Sequence, residues 1–223
     1  MTKYEKNFDK VLRSIEEVRI ETNEHQIIKI VAASKYANAE EIRNFYNIGQ
    51  RAFGENRVQD MKEKCSQLED LPLEWHFIGR LQSNKINTLL DLNVSLIQSC
   101  ESFQMAKEID KRAKAKGIKQ QILLQINSAK EESKAGIDPD LAYEEYIKIA
   151  QELENVTLKG VMSIGAHTQD EKLIRKSFEN TFKIFEKLQP YKAKYCSMGM
   201  SGDYILAIKC GSNMLRLGST LFN

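Results

Sequence analysis

At 223 residues, with 33 basic and 31 acidic side chains and a net charge of +2, the chain has the size of one or two domains. It lacks the positive excess that a dedicated nucleic-acid surface requires. No apolar run approaches a membrane span, and residues 1–6 lack the apolar core of a signal segment. Cys65, Cys100, Cys196 and Cys210 form no CxxC pair and read as reduced thiols in packing positions, so a soluble cytoplasmic protein without a metal site is expected.

Phe8, Val11, Leu12, Ile15 and Val18 recur at helical spacing, which predicts an amphipathic helix within residues 1–24, ahead of the first strand. The run Ile27-Ile28-Lys29-Ile30-Val31-Ala32-Ala33 is apolar and rich in β-branched residues, as a strand buried on both faces requires, and it leads into Ser34-Lys35. Asn38 can cap a helix whose inner face is Ile42, Phe45 and Tyr46, with Gly49 at its end. A strand at 51–54, a helix through Val58, Met61 and Cys65, a strand at 74–79 and a helix at 84–92 follow. The alternation continues with strands at 95–99, 121–127, 157–164, 195–198 and 214–217, separated by helices at 102–116, 140–154, 173–188 and 204–209. Eight strands alternating with helices through short connections define a parallel α/β architecture, and the count of eight favours a closed (β/α)8 TIM barrel. A single domain spanning 1–223 is expected.

In such a barrel the chemistry gathers in the loops after the strands, with phosphate sites commonly after strands seven and eight. Lys35 stands at the carboxyl end of the first strand, where partial burial would favour the neutral amine that attacks an aldehyde. A lysine snorkelling from a strand end to solvent is the plainer reading. Ser197-Met198-Gly199-Met200-Ser201-Gly202-Asp203 and Leu217-Gly218-Ser219-Thr220 are glycine-serine turns that could cradle a phosphate with backbone N–H groups, or could simply be turns. Arg216, between Leu215 and Leu217, should face the lumen. It would pair there with a carboxylate such as Glu55 or Asp203, or with a ligand. A lysine able to form an imine, a phosphate cup and an arginine between them suit pyridoxal 5′-phosphate (PLP). The lysine and cup alone would also suit a Schiff-base aldolase acting on a phosphosugar.

Several ordered motifs add to this reading: Ala33-Ser34-Lys35, Phe53-Gly54-Glu55-Asn56 with Val58-Gln59, and Trp75-His76-Phe77-Ile78-Gly79 with Leu81-Gln82-Ser83-Asn84-Lys85. Asn127 with Glu132, Lys134 and Gly136, Ser197-Met198-Gly199-Met200-Ser201 with Asp203, and Arg216-Leu217-Gly218 continue the series. Over nearly its whole length the chain resembles the pyridoxal phosphate homeostasis protein family, stand-alone barrels related to the N-terminal barrel domain of alanine racemase. The resemblance implies that Lys35 carries PLP as a Schiff base, that Ser201, Gly218 and Ser219 hold its phosphate, and that Arg216 faces its pyridine nitrogen. Asn56 would lie beside the cofactor, with Met198 and Gly199 in the same binding set. Tyr36 and Ala37 depart from the family's frequent Thr-Lys-Pro after the lysine, Ser219 replaces a threonine but keeps the hydroxyl, and Asn213 replaces another threonine.

The implied function is binding, buffering and delivery of PLP, with PLP-dependent apo-enzymes as recipients, no nucleic-acid or membrane partner, and a monomer or weak dimer. No residue is assigned a catalytic role. The alternative is an amino-acid racemase. Arginine can only donate a hydrogen bond, so it leaves the ring nitrogen neutral and weakens the electron sink, although alanine racemase shares that feature. Racemisation needs a second base opposite the lysine, for which Tyr36 and His76 are the local candidates. His25 stands at the wrong end of the first strand, and His167 lies just past the sixth.

Overall fold

Eight parallel strands close on themselves in chain order in the computed structural model, which describes residues 2–23, 25–131 and 135–223. The motif residues Glu132 and Lys134 lie outside the described residues. The strands are β1 (Lys29–Ala33), β2 (Ala52–Glu55), β3 (Glu74–Phe77), β4 (Leu96–Cys100), β5 (Gln120–Ile126), β6 (Val156–Ser163), β7 (Tyr195–Ser197) and β8 (Met214–Leu217). The helices are α1 (Lys3–Thr22), α2 (Ala39–Asn47), α3 (Val58–Gln67), α4 (Ile86–Asp91), α5 (Phe103–Ala115), α6 (Ala142–Glu152), α7 (Glu171–Leu188), α8 (Tyr204–Lys209) and α9 (Ser219–Phe222). The (β/α)8 barrel expected from the alternation is therefore present, with α1 as the extra N-terminal helix.

Strand side chains alternate between two cores, as a two-residue period demands. Val31, Ala52, Leu96, Leu123, Met162 and Met214 fill the lumen, whereas Ile30, Ala32, Phe53, Trp75, Phe77, Ile97, Cys196, Leu215 and Leu217 pack outward under the helices. The same alternation turns His76, Gln98, Ser197 and Arg216 inward, since each has outward neighbours on its strand. β1 is shorter than the apolar run suggests. Ile27 is 86% exposed, because pairing with β8 begins at Lys29 opposite Met214, and only Ile28 of the two leading isoleucines packs against the core.

Closure places β1 between β8 and β2, with Val31 opposite Arg216 and Ala33 opposite Gly54. The turn after β1 is thus flanked by the turns after β2 and β8. Helix α1 starts in a capping box between Thr2 and Glu5 and buries Val11, Ile15 and Val18. It braces the last turn of the chain, where the Asn7 side chain donates to the carbonyls of Leu221 and Asn223, both at 2.8 Å, and it meets α8, where Ser14 Oγ lies 2.7 Å from Tyr204 Oη. Sequence periodicity does not reveal α9, since four residues are too few to display a helical pattern.

Candidate functional site

A cleft of about 620 Å³ opens at the carboxyl end of the barrel, with walls that include Lys35, Tyr36, Asn56, Ser201, Arg216, Gly218 and Ser219. Six of the eight cofactor-binding residues expected from the sequence are therefore brought together. Met198 and Gly199 stand behind the wall. Both are buried, the Gly199 carbonyl accepts from the Arg216 N–H at 3.0 Å, and a Cβ on Gly199 would lie 2.6 Å from that of Ala207. Together with its φ of 92°, this close contact makes glycine necessary there. These two residues hold the β8 strand in register.

Lys35 follows β1 by two residues and is exposed, rather than partly buried as expected; its ammonium lies 4.8 Å from the centre of the Tyr36 ring. A turn beyond a strand end has no neighbouring strands to cover it. The backbone just before the lysine is pinned. Ser34 N–H donates to Gly54 O at 3.0 Å, and Lys64 Nζ, from α3, donates to Ser34 O at 2.7 Å and to Glu55 Oε1 at 2.8 Å. Ser34 Oγ also donates to Glu55 Oε1, at 2.5 Å. Burial pushes the Glu55 carboxyl above its ordinary pKa, while the bonds from Lys64 and Ser34 pull it back. A lysine on a helix face reads in sequence as a solvated charge, so nothing in the spacing marks Lys64 as the anchor of this turn.

Arg216 is 5% exposed and makes no ion pair with Glu55 or Asp203, contrary to the salt bridge considered above. Glu55 faces outward to Lys64, and Asp203 Oδ1 accepts from Met200 N–H at 2.6 Å. The guanidinium instead donates to Ser197 O at 2.9 Å, Ser197 Oγ at 2.7 Å and Ser163 O at 2.8 Å. Burial lowers its pKa to about 10, partly offset by the Asp203 charge, so it remains a cation at neutral pH. Of five guanidinium N–H donors, these three bonds leave two without a partner among the described residues, on a side chain that lines the cleft.

The two glycine-serine turns, after β7 and β8, meet in space. Ser201 Oγ accepts from Gly218 N–H at 3.1 Å and Thr220 N–H at 3.2 Å and lies 3.2 Å from Thr220 Oγ1. Two backbone N–H groups and two hydroxyls therefore converge on one small volume beside Ser219. Asn56 is exposed on the opposite wall, held close to the end of β3: a Cβ on Gly79 would lie 2.0 Å from Asn56 O. The Phe-Ile-Gly ending of the third strand motif thus has a steric cause. His76 lies in the lumen, fully buried, bonded to Glu74 and Gln98 at 2.9 Å each, and does not line the cleft. His167 is exposed, its N–H donating to Glu131 Oε1 at 3.0 Å.

Residues 9–223 match the family model described as the alanine racemase N-terminal domain, the class of barrel that the fold defines. Alanine racemase of Clostridium difficile shares that fold at 18% identity and a TM-score of 0.76, over 97% of this chain and 56% of that one. Within the class, the chain belongs to the pyridoxal phosphate homeostasis protein family. It is 50% identical over 222 residues to the protein of that name from Helicobacter pylori, covering 100% of this chain and 99% of its relative. The structure of PipY from Synechococcus elongatus with PLP bound aligns with a TM-score of 0.80 at 32% identity, over 94% of this chain and all of that one.

Proposed function

We propose that this protein binds PLP in the cleft and serves its intracellular homeostasis, holding and releasing the cofactor without substantial turnover of amino acids. The observation that carries the reading is the convergence, in one cleft, of a free lysine amine, a buried guanidinium with two unused donors, and the Gly218 and Thr220 N–H groups aimed at one oxygen. This donor set fits a ligand with an aldehyde, a ring acceptor and a phosphate dianion at separate points. Lys35 would hold the aldehyde covalently. Arg216 would donate to the ring nitrogen, and Ser201, Gly218 and Ser219 would hold the phosphate, with Asn56 beside the ring. Bound there, PLP supplies an electrophilic carbon and a ring that withdraws electrons from it.

The arrangement of proton-bearing groups favours binding over turnover. Arg216 donates and keeps the ring nitrogen neutral. Tyr36 is 90% exposed and lies against Lys35, on the same side of the cleft. Glu41 is occupied, accepting from Asn38 N–H at 2.9 Å and from Tyr4 Oη at 3.2 Å. Delivery to recipient apo-enzymes, a monomer or weak dimer, and a cytoplasmic location belong to the same proposal. The four cysteines are free thiols, and no helix of the described residues is long and apolar enough to cross a membrane.

The test is the visible spectrum on adding PLP, followed by racemisation of alanine and serine and α-proton exchange in deuterated water. A visible band with only trace turnover is expected. Absence of the band overturns the binding site. Turnover above about 1 s⁻¹, the low end for ordinary enzymes, would favour the racemase alternative.

A further inference from the structure

A continuous chain of hydrogen bonds runs through the lumen beneath the cleft and ends at Arg216. Starting at the top, Arg216 Nη1 donates to Ser197 Oγ at 2.7 Å. Ser197 Oγ donates across the barrel, from β7 to β4, to Gln98 Oε1 at 2.7 Å. The Gln98 amide nitrogen lies 2.9 Å from His76 Nδ1, and His76 Nε2 lies 2.9 Å from Glu74 Oε1. At the foot, Lys29 Nζ pairs with the same Glu74 oxygen.

The direction of every link follows from its ends. A guanidinium can only donate, and an ionised carboxylate can only accept. Glu74 is held as the carboxylate by the His76 and Lys29 bonds, its pKa lowered to about 2. Burial keeps His76 below its ordinary pKa, and Lys29 acts in the same sense, against the pull of Glu74. The neutral ring must then carry its proton on Nε2, facing Glu74, and accept at Nδ1 from the Gln98 amide. With its NH2 directed to His76, Gln98 presents its carbonyl to Ser197, whose hydroxyl hydrogen is committed there and whose lone pair is left for Arg216. Reversing any one link would place two donors or two acceptors face to face.

Apolar side chains pack around this chain in the lumen and could fill its place, so closing the barrel by itself does not call for it; a buried polar network costs stability unless every member is satisfied. We propose that Ser197, Gln98 and His76 are positioning residues. Through one enforced hydrogen-bond direction they fix the plane of the Arg216 guanidinium so that its unused N–H donors point at the pyridine nitrogen of bound PLP. The inference rests on the assignment of Arg216 to that nitrogen.

The experiment compares dissociation constants for PLP and for its carbocyclic analogue, in which C–H replaces the ring nitrogen. Wild type should prefer PLP by about tenfold, the value of one charge-assisted hydrogen bond. In Ser197→Ala and Gln98→Met the preference should fall to threefold or less, while the preference for PLP over pyridoxal, which reports the phosphate turns, is kept. Ser197→Thr, which retains the hydroxyl, should restore the ring preference. Should the two lumenal variants fail to fold, Glu74→Met at the half-exposed foot decides, with an expected loss of at least half the preference. A tenfold preference surviving in the folded variants, whatever their melting temperatures, reduces the chain to packing and overturns the proposal. No preference in wild type itself overturns the assignment of Arg216 to the ring, and the proposal with it, and is a distinct result.

Discussion

Lys35 and Arg216 face one cleft from adjacent strands, and they are held in opposite ways. The lysine sits beyond the end of β1, exposed, with its ammonium resting against the Tyr36 ring. The arginine sits within β8, fixed by three hydrogen bonds and by a lumenal chain that reaches the foot of the barrel. Immobilising either long side chain costs up to about 2 kcal/mol of rotamer entropy. For Arg216 folding has already met that cost, so a ligand need not. Lys35 keeps its freedom, as the bond to an aldehyde proposed for it would require. Around the lysine, rigidity is confined to the residue before it, where Lys64 donates to the carbonyl of Ser34 and Glu55 accepts from the Ser34 hydroxyl.

Three substitutions sharpen this contrast. The largest effect is expected from Lys35→Ala, which should abolish the visible band of added PLP while leaving the melting temperature of the free protein unchanged. The second condition matters, since an exposed side chain with no buried partner contributes little to the fold. A large drop in melting temperature would show the lysine to be structural, like the arginine.

Ser201→Ala tests the third anchor. It removes a hydroxyl that could bind the phosphate, but it also releases Gly218 and Thr220 N–H from the serine oxygen. The net loss of PLP affinity should lie at the low end for a charge-assisted bond, about tenfold. Pyridoxal affinity should hardly change. Equal losses for both ligands would place Ser201 away from the phosphate.

The smallest effect is expected at the foot of the lumenal chain. Glu74 has a folded pKa of about 2, against about 4.3 when unfolded. Its contribution to stability is therefore full above the unfolded value and is lost as the pH falls toward the folded one. Because the side chain is 36% exposed, solvent screening cuts the contribution to about 1–2 kcal/mol. Glu74→Gln should flatten the fall in melting temperature between about pH 5 and pH 2. Burial raises the Glu55 carboxyl, which tilts stability the opposite way. The difference between wild type and variant isolates Glu74, and parallel curves would mean that the lumenal chain is not anchored there.

Much of the molecule was legible without coordinates. The alternation of apolar strands with amphipathic helices led to the closed barrel, because burial on both faces leaves strands no polar positions except those that do something else. Arg216 was legible as lumenal for that reason, flanked as it is by Leu215 and Leu217. The glycine-serine turns and Lys35 were legible from their places after β7, β8 and β1. The exposure of Lys35 and the start of β1 at Lys29 were not, since an apolar run does not say where neighbouring strands begin and end.

Sequence alone determined the residue types at the strand ends and, through the two-residue period, which of them turn inward. Only the tertiary structure decided who meets whom. Arg216 bonds Ser197 and Ser163 in place of a carboxylate, Lys64 reaches back under the Lys35 turn, and Gln98 spans the lumen to join β4 to β7. Each of these contacts links residues at least 19 positions apart. The physical reason is closure: a strand's period sets the face of a side chain, but hydrogen-bond partners depend on distances across the barrel, which exist only once all eight strands have closed around it.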